Sequence, residues 1–252
     1  MAEYDLPDFV NKALEISEKN KLLLVGHSQG TTQTFAALAE NENLQNKIEK
    51  FVALAPVLFM ERDPETPNFW TILGGMNVLT ILKKLNVFSL PVVNIAENPL
   101  ISSFLDLVCV KTSFMCKFLF YLMFTKNPNL IDYSRMDKFL ARAPSGCSVK
   151  SFEHYSQLMF DEKIQFHKFD YGQKNLEKYG QRTAPVYDLS KIKIPVKAFY
   201  GGNDQLCSLK DISFILEHIS DIKTYYLDEW GHVGYLWGKD KSMMYKMLDE
   251  IF

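Results

Sequence analysis

The pentapeptide Gly26-His27-Ser28-Gln29-Gly30 lies between an apolar run, KLLLV at 21–25, and a helical stretch at 31–40. This arrangement constrains the chain more than any other feature. The G-x-S-x-G pattern alone is a weak signal, and its setting is what gives it weight. A short, nearly continuous apolar run reads as a strand buried on both faces of a parallel sheet. A serine between such a strand and a helix sits on a turn so tight that side chains two positions before and after it would collide. Glycine at 26 and 30 is expected to remove both collisions. Ser28 then stands at a helix N-terminus, where the backbone N–H of Gln29 can donate to an oxyanion.

A serine hydroxyl attacks poorly unless a base removes its proton. The chain has five histidines. His27 adjoins the serine, so its side chain is expected to point away. His154 and His167 fall in a region with a different pattern, and His218 falls inside a helix. His232, in Glu229-Trp230-Gly231-His232, follows the apolar run TYYL at 224–227. That context puts it at the same carboxyl edge of the sheet as Ser28, so His232 is the expected base. The imidazole in turn needs a carboxylate to set its tautomer. Gly201-Gly202-Asn203-Asp204 follows the run VKAFY at 196–200, which makes Asp204 the expected partner. Asn203 and Asp211 are less well placed, and Asp228 is too near His232 in sequence. The chain order Ser, Asp, His matches the hydrolases built on a strand–elbow–helix sheet rather than the other serine-triad orders.

Further runs complete an alternating pattern. A helix opens at Asp5-Leu6-Pro7 with Phe9, Val10, Ala13, Leu14 and Ile16 at helical spacing, and Asn20 is a plausible stop. FVALAPV at 51–57 reads as a buried strand, 211–218 as a helix and 242–252 as a terminal helix. Strands alternating with helices imply a parallel α/β sheet, and 47% hydrophobic residues in 252 suffice for one sizeable core. Between 58 and 190 the alternation stops, with prolines at 64, 67, 91, 99, 128 and 144. So long a structureless stretch is improbable in a compact domain, and a mostly helical insertion is expected there. The expected organisation is thus a core from 1–57 and 191–252, with 58–190 forming a cap or lid. Within it Phe114, Met115, Phe118, Leu119, Tyr121 and Leu122 cluster on about one helical face, with Lys111 and Lys117 available to the other. A lid that opens on a lipid surface has this pattern, and so does an ordinary packed helix.

Composition excludes several classes. The 28 basic and 30 acidic residues leave a net charge of −2, no basis for a nucleic-acid partner. None of the four cysteines has zinc-type spacing, and neither a metal nor a cofactor is expected. Cys109 and Cys116 can pair in an oxidising compartment or stay as buried thiols. No basic and apolar leader follows Met1. The apolar stretch 104–124 is interrupted by Lys111 and Lys117 and is not read as a membrane span.

The blocks around these residues resemble the acid lipase family of the α/β-hydrolase superfamily, the relatives of gastric and lysosomal acid lipases. They are MAEYDLP, GHSQGTT, PSGCSVKSFEHYSQ at 144–157, FDYGQKNLEKYGQRTAPVYDLSKIKIPV, GGNDQL and EWGHVGYLWG. The elbow is common to many hydrolases, whereas the last four blocks are more specific. The resemblance implies an α/β-hydrolase fold with Ser28, Asp204 and His232 as catalytic triad and a lid over them. It implies hydrolysis of fatty-acid esters, acylglycerols or sterol esters, at a lipid–water interface, and a secretory-pathway location, lysosomal or extracellular. A soluble short-chain esterase, and a non-catalytic piece that binds lipid or another chain, are the alternatives. Family members carry roughly a hundred or more residues before MAEYDLP. That stretch includes the first strands of the sheet and a loop giving a second oxyanion N–H. Those strands are expected to be missing from this chain's sheet, to be supplied by an upstream segment or a second polypeptide.

Overall fold

The computed structural model describes residues 1–60, 69–71, 89–90, 103, 106–140 and 147–251. The prolines at 64, 67, 91, 99 and 144 lie outside them, as do Phe104 and Leu105 at the start of the apolar stretch.

The chain opens with α1 (Asp5–Ser17), β1 (Leu22–His27), α2 (Gln29–Glu40), α3 (Glu42–Gln45) and β2 (Ile48–Leu54). The region expected to form the insertion holds a two-residue pairing of β3 (Ser89–Leu90) with β4 (Cys147–Ser148). It also holds a π-helical turn, Asp106–Lys111, and the helices α4 (Phe114–Met123), α5 (Met136–Leu140), α6 (Val149–Phe160) and α7 (Asn175–Tyr179). The alternation then resumes with β5 (Val196–Gly201), α8 (Leu209–His218), β6 (Ile222–Leu227), α9 (Gly234–Trp237) and α10 (Lys241–Ile251). Among the described residues the main sheet runs β1-β2-β5-β6, every neighbour parallel. This is the parallel α/β architecture that the alternating pattern predicts.

The apolar runs become strands because their side chains can be covered. Phe51, Val52 and Ala53 of β2 and Val196, Ala198 and Phe199 of β5 are all buried. On one side Phe35 of α2 meets the Phe51 ring edge-on at 5.1 Å. Leu158, Phe166 and Leu189 belong to this same cluster, so the later part of the 58–190 region packs into the sheet's own core. On the other side Val52, Phe199, Ile212, Trp230 and Tyr235 form a second cluster. Burial of each such large side chain stabilises by about 1.5–3 kcal/mol.

Two expectations about the N-terminal elements need correction. The run KLLLV is not buried on both faces: Leu22, Leu23 and Leu24 are half-buried and Val25 is 48% exposed. The reason is position, because β1 stands at the edge of the described sheet with β2 as its neighbour. In α1 the apolar positions divide, with Leu6 and Val10 buried but Phe9 73% exposed and Ile16 exposed with it. The helix ends at Glu18, in the left-handed region at φ 54°, whose N–H reaches back to the Leu14 carbonyl.

α4 carries its apolar residues outward. Cys116 and Phe120 face inward, while Phe114, Met115, Phe118, Leu119 and Tyr121 are exposed. Cys109 and Cys116 form a disulfide with 5.1 Å between Cα atoms, which ties α4 to the π-helical turn before it. No described helix is long and apolar enough to cross a membrane.

Candidate active site

Three chain segments reach the carboxyl edge of the sheet, and each delivers one predicted residue. Ser28 follows β1 at φ 55° and ψ −123°, a conformation that L-residues adopt only under constraint. The constraint is visible on both sides. Ser28 N–H donates to the Leu54 carbonyl at 3.1 Å, and the Ser28 carbonyl accepts from the Thr31 hydroxyl at 2.6 Å. A side chain at 26 would come within 3.0 Å of the Gly30 backbone, as the elbow argument requires. At 30, however, a Cβ would meet nothing within 4 Å, so the collision lies at Gly26 against the backbone of residue 30 and not at both glycines. Gln29 is the first residue of α2, and a helix leaves its opening N–H groups without intrahelical acceptors.

His232 lies beyond β6 and Asp204 beyond β5, both buried. His232 Nδ1 stands 3.0 Å from Asp204 Oδ2, and its Nε2 stands 2.7 Å from Ser28 Oγ. An ionised carboxylate only accepts, so Nδ1 carries the proton and Nε2 is left to accept from the serine hydroxyl. Asp204 Oδ1 also accepts the N–H groups of Leu206 at 2.8 Å and Cys207 at 2.9 Å, which fixes the carboxylate plane. The structure therefore brings together Ser28, Asp204 and His232, with Gln29 beside them.

The other candidates fall elsewhere. His154 Nε2 is 2.8 Å from the His167 carbonyl, His167 pairs with Asp161 at 3.3 Å, and His218 donates to the Phe214 carbonyl within α8. Asp211 is fully buried, but it serves the scaffold. Its Oδ1 accepts Leu58 N–H at 2.6 Å and Phe59 N–H at 2.7 Å, and its Oδ2 accepts from the N–H and hydroxyl of Ser208. Burial nevertheless pushes the Asp211 carboxyl up, against those hydrogen bonds.

His27 is a further residue of the site. Its Nε2–H donates to the carbonyl of His232 at 2.7 Å, and the two rings lie 5.0 Å apart. Burial first, and the neighbouring His232 second, push this imidazole down to about 4. Nothing in a linear pattern marks such a contact between residues 205 positions apart. Among the described residues no group of histidine, cysteine and carboxylate side chains could hold a metal ion.

A strained serine between strand and helix, reached by a histidine and an aspartate from later strand ends of a parallel sheet, is the arrangement of an α/β hydrolase. The match to the alpha/beta hydrolase fold over residues 1–239 shows that the chain belongs to this family. Within it the chain is acid-lipase-like. It is 31% identical over 250 residues to the gastric triacylglycerol lipase of Rattus norvegicus, covering 95% of this chain and 60% of that protein. It is 30% identical over 247 residues to the lysosomal acid lipase/cholesteryl ester hydrolase of the same organism, covering 95% and 59%. The chain thus spans about 60% of the length of the curated relatives it matches. A mutant epoxide hydrolase from Bacillus megaterium superposes with a TM-score of 0.52 at 15% identity, covering 96% of this chain and 72% of that one. That likeness bears on the fold alone.

Proposed function

We propose that this chain carries the catalytic centre of a serine-dependent lipase that hydrolyses carboxylic esters of fatty acids, acylglycerols or sterol esters, through an acyl-enzyme. The observation that carries the reading is the continuous relay from Asp204 Oδ2 through His232 to Ser28 Oγ, with spacings of 3.0 and 2.7 Å. Ser28 Oγ attacks the ester carbonyl carbon while His232 Nε2 takes the hydroxyl proton. The carbonyl oxygen becomes an oxyanion that accepts from Gln29 N–H. Collapse breaks the ester C–O bond, and His232 Nε2–H protonates the departing alkoxide. Water then attacks the acyl-enzyme and gives a proton to Nε2. Ser28 Oγ leaves as the fatty acid departs and recovers that proton. Asp204 holds the imidazole and stabilises its cationic form throughout.

The names of the curated relatives support a lipid ester as substrate, and the exposed apolar side chains of α4 support work at a lipid–water interface. In this reading α4 belongs to the lid, and the 58–190 region forms the cap. The Cys109–Cys116 disulfide supports an oxidising compartment of the secretory pathway, lysosomal or extracellular.

Ser28→Ala tests the centre. Turnover of a p-nitrophenyl fatty-acid ester is expected to fall by roughly 10⁴- to 10⁶-fold, and labelling by a fluorophosphonate probe to disappear. A variant that keeps both would refute the assignment.

A further inference from the structure

The loops that carry Asp204 and His232 leave different strands, and a third segment joins them. Phe124–Lys126 continues from the end of α4 and runs between the two. Thr125 forms an antiparallel bridge with Asp204, and Lys126 N–H donates to the Asn203 carbonyl at 2.9 Å. From the other side His232 N–H donates to the Phe124 carbonyl at 3.1 Å. The Phe124 ring lies parallel to the His232 imidazole, 11° between planes and 6.5 Å between centroids.

Thr125 is buried at the centre of this strap, with Oγ1 accepting Asn127 N–H at 3.1 Å. It fills the space that a side chain at 231 would need. A Cβ on Gly231 would fall 2.0 Å from Thr125 Oγ1 and 2.2 Å from Thr125 Cβ. Glycine before the histidine therefore lets the strap lie against the triad. We propose that Phe124–Lys126 is a positioning element of the active site, in which Thr125, packed on Gly231, sets the placement of His232 against Asp204 and Ser28.

The physical case is one of tolerance. Proton transfer needs Nδ1–Oδ2 and Nε2–Oγ contacts satisfied together, and a displacement of about 1 Å can cost on the order of 10²-fold in rate. The strap binds the main chain of both loops, so it opposes their relative motion. Because it continues α4 without a break, a shift of α4 is transmitted to the triad. The Trp70 indole N–H donates to the Met123 carbonyl at 2.6 Å and holds the junction from outside.

This inference rests on the hydrolase reading, and the test separates the two. Gly231→Ala, Thr125→Gly and the double variant are compared with the parent protein. Urea midpoints establish that each is folded. The rate of fluorophosphonate labelling and the downfield Nδ1–H proton resonance of His232 are then measured. Gly231→Ala is expected to label on the order of 10²-fold more slowly and to shift or lose the resonance. The double variant, which removes the colliding side chain, is expected to recover most of both. A folded Gly231→Ala with parental labelling and resonance overturns the strap's role. So does a folded double variant as impaired as the single one. If the parent protein is not labelled at all, the hydrolase reading fails, and the resonance alone still decides whether the strap positions His232.

Discussion

His27 and His232 meet at the sheet edge with their rings 5.0 Å apart, and His27 is held neutral there, pushed down to about 4 by burial and by its neighbour. A neutral imidazole with one N–H can donate to the His232 carbonyl and carries no charge toward the His232 ring beside it. The consequence for stability has a definite sign. Between about pH 4 and 6.5 the unfolded chain binds more protons at this residue than the folded chain. Stability from this source is therefore complete above that window and is lost as pH falls through it, by up to roughly 3 kcal/mol. His27→Gln keeps a donor and removes the titration. Its urea midpoint is expected to change less than the parent's between pH 7 and pH 4. Equal slopes for the two would mean that His27 is not buried as described. Asp211 opposes this trend, because a carboxyl pushed up by burial favours the folded chain at low pH and less so as pH rises.

At the scale of elements, α4 is the one whose sequence and setting pull apart. Its buried contacts come from Cys116 and Phe120, with Phe120 against Tyr133 at 6.0 Å and Trp237 at 5.6 Å. The remaining face presents Phe114 at 77% and Phe118 at 54% exposure, with Met115, Leu119 and Tyr121 beside them. The disulfide holds the first turn of this helix to the preceding turn, so the face is presented on a stiff mount. Phe114→Glu/Phe118→Glu is expected to weaken partitioning onto phospholipid vesicles by roughly 10²-fold or more, at 1.5–3 kcal/mol of lost burial per ring. Turnover of a short, soluble ester should be unaltered. Flotation with vesicles and a soluble-ester assay measure the two separately. Unchanged partitioning would remove α4 from the lipid contact.

For the molecule as a whole, β1 matters most. It leads directly into the candidate nucleophile, yet it is the edge of the described sheet, with Val25 exposed and with Phe9 and Ile16 of α1 open to solvent. An apolar edge with unpaired N–H and C=O groups invites another strand. The 252 residues expressed alone are expected to self-associate. Val25→Lys, which places a charge on that edge, is expected to shift the population toward monomer in sedimentation velocity. A parent chain that sediments as a single monomer at all concentrations would show that the edge is already protected.

The parts legible in the sequence were those set by near neighbours along the chain. Strand, glycine, serine and helix follow one another at Leu22–Gly30, so the elbow follows from local sterics. The order of Ser28, Asp204 and His232 follows from each standing just after an apolar run. Helices announced themselves by spacing, although spacing left open which face of α4 would be covered. Tertiary structure decided what depends on distant segments meeting. It turned His27 toward the His232 carbonyl, joined Cys109 to Cys116, and laid Thr125 into the gap that Gly231 leaves. The expectation that the first strands are missing already puts the run KLLLV at an edge, and tertiary structure decided how far its side chains are covered, with Leu22, Leu23 and Leu24 half-buried and Val25 exposed. The physical reason is common to these cases. Backbone sterics and periodicity act within a few residues and are written in the local pattern. Burial and hydrogen-bond partners belong to pairs of segments, and they exist only once the sheet has brought its strand ends to one edge.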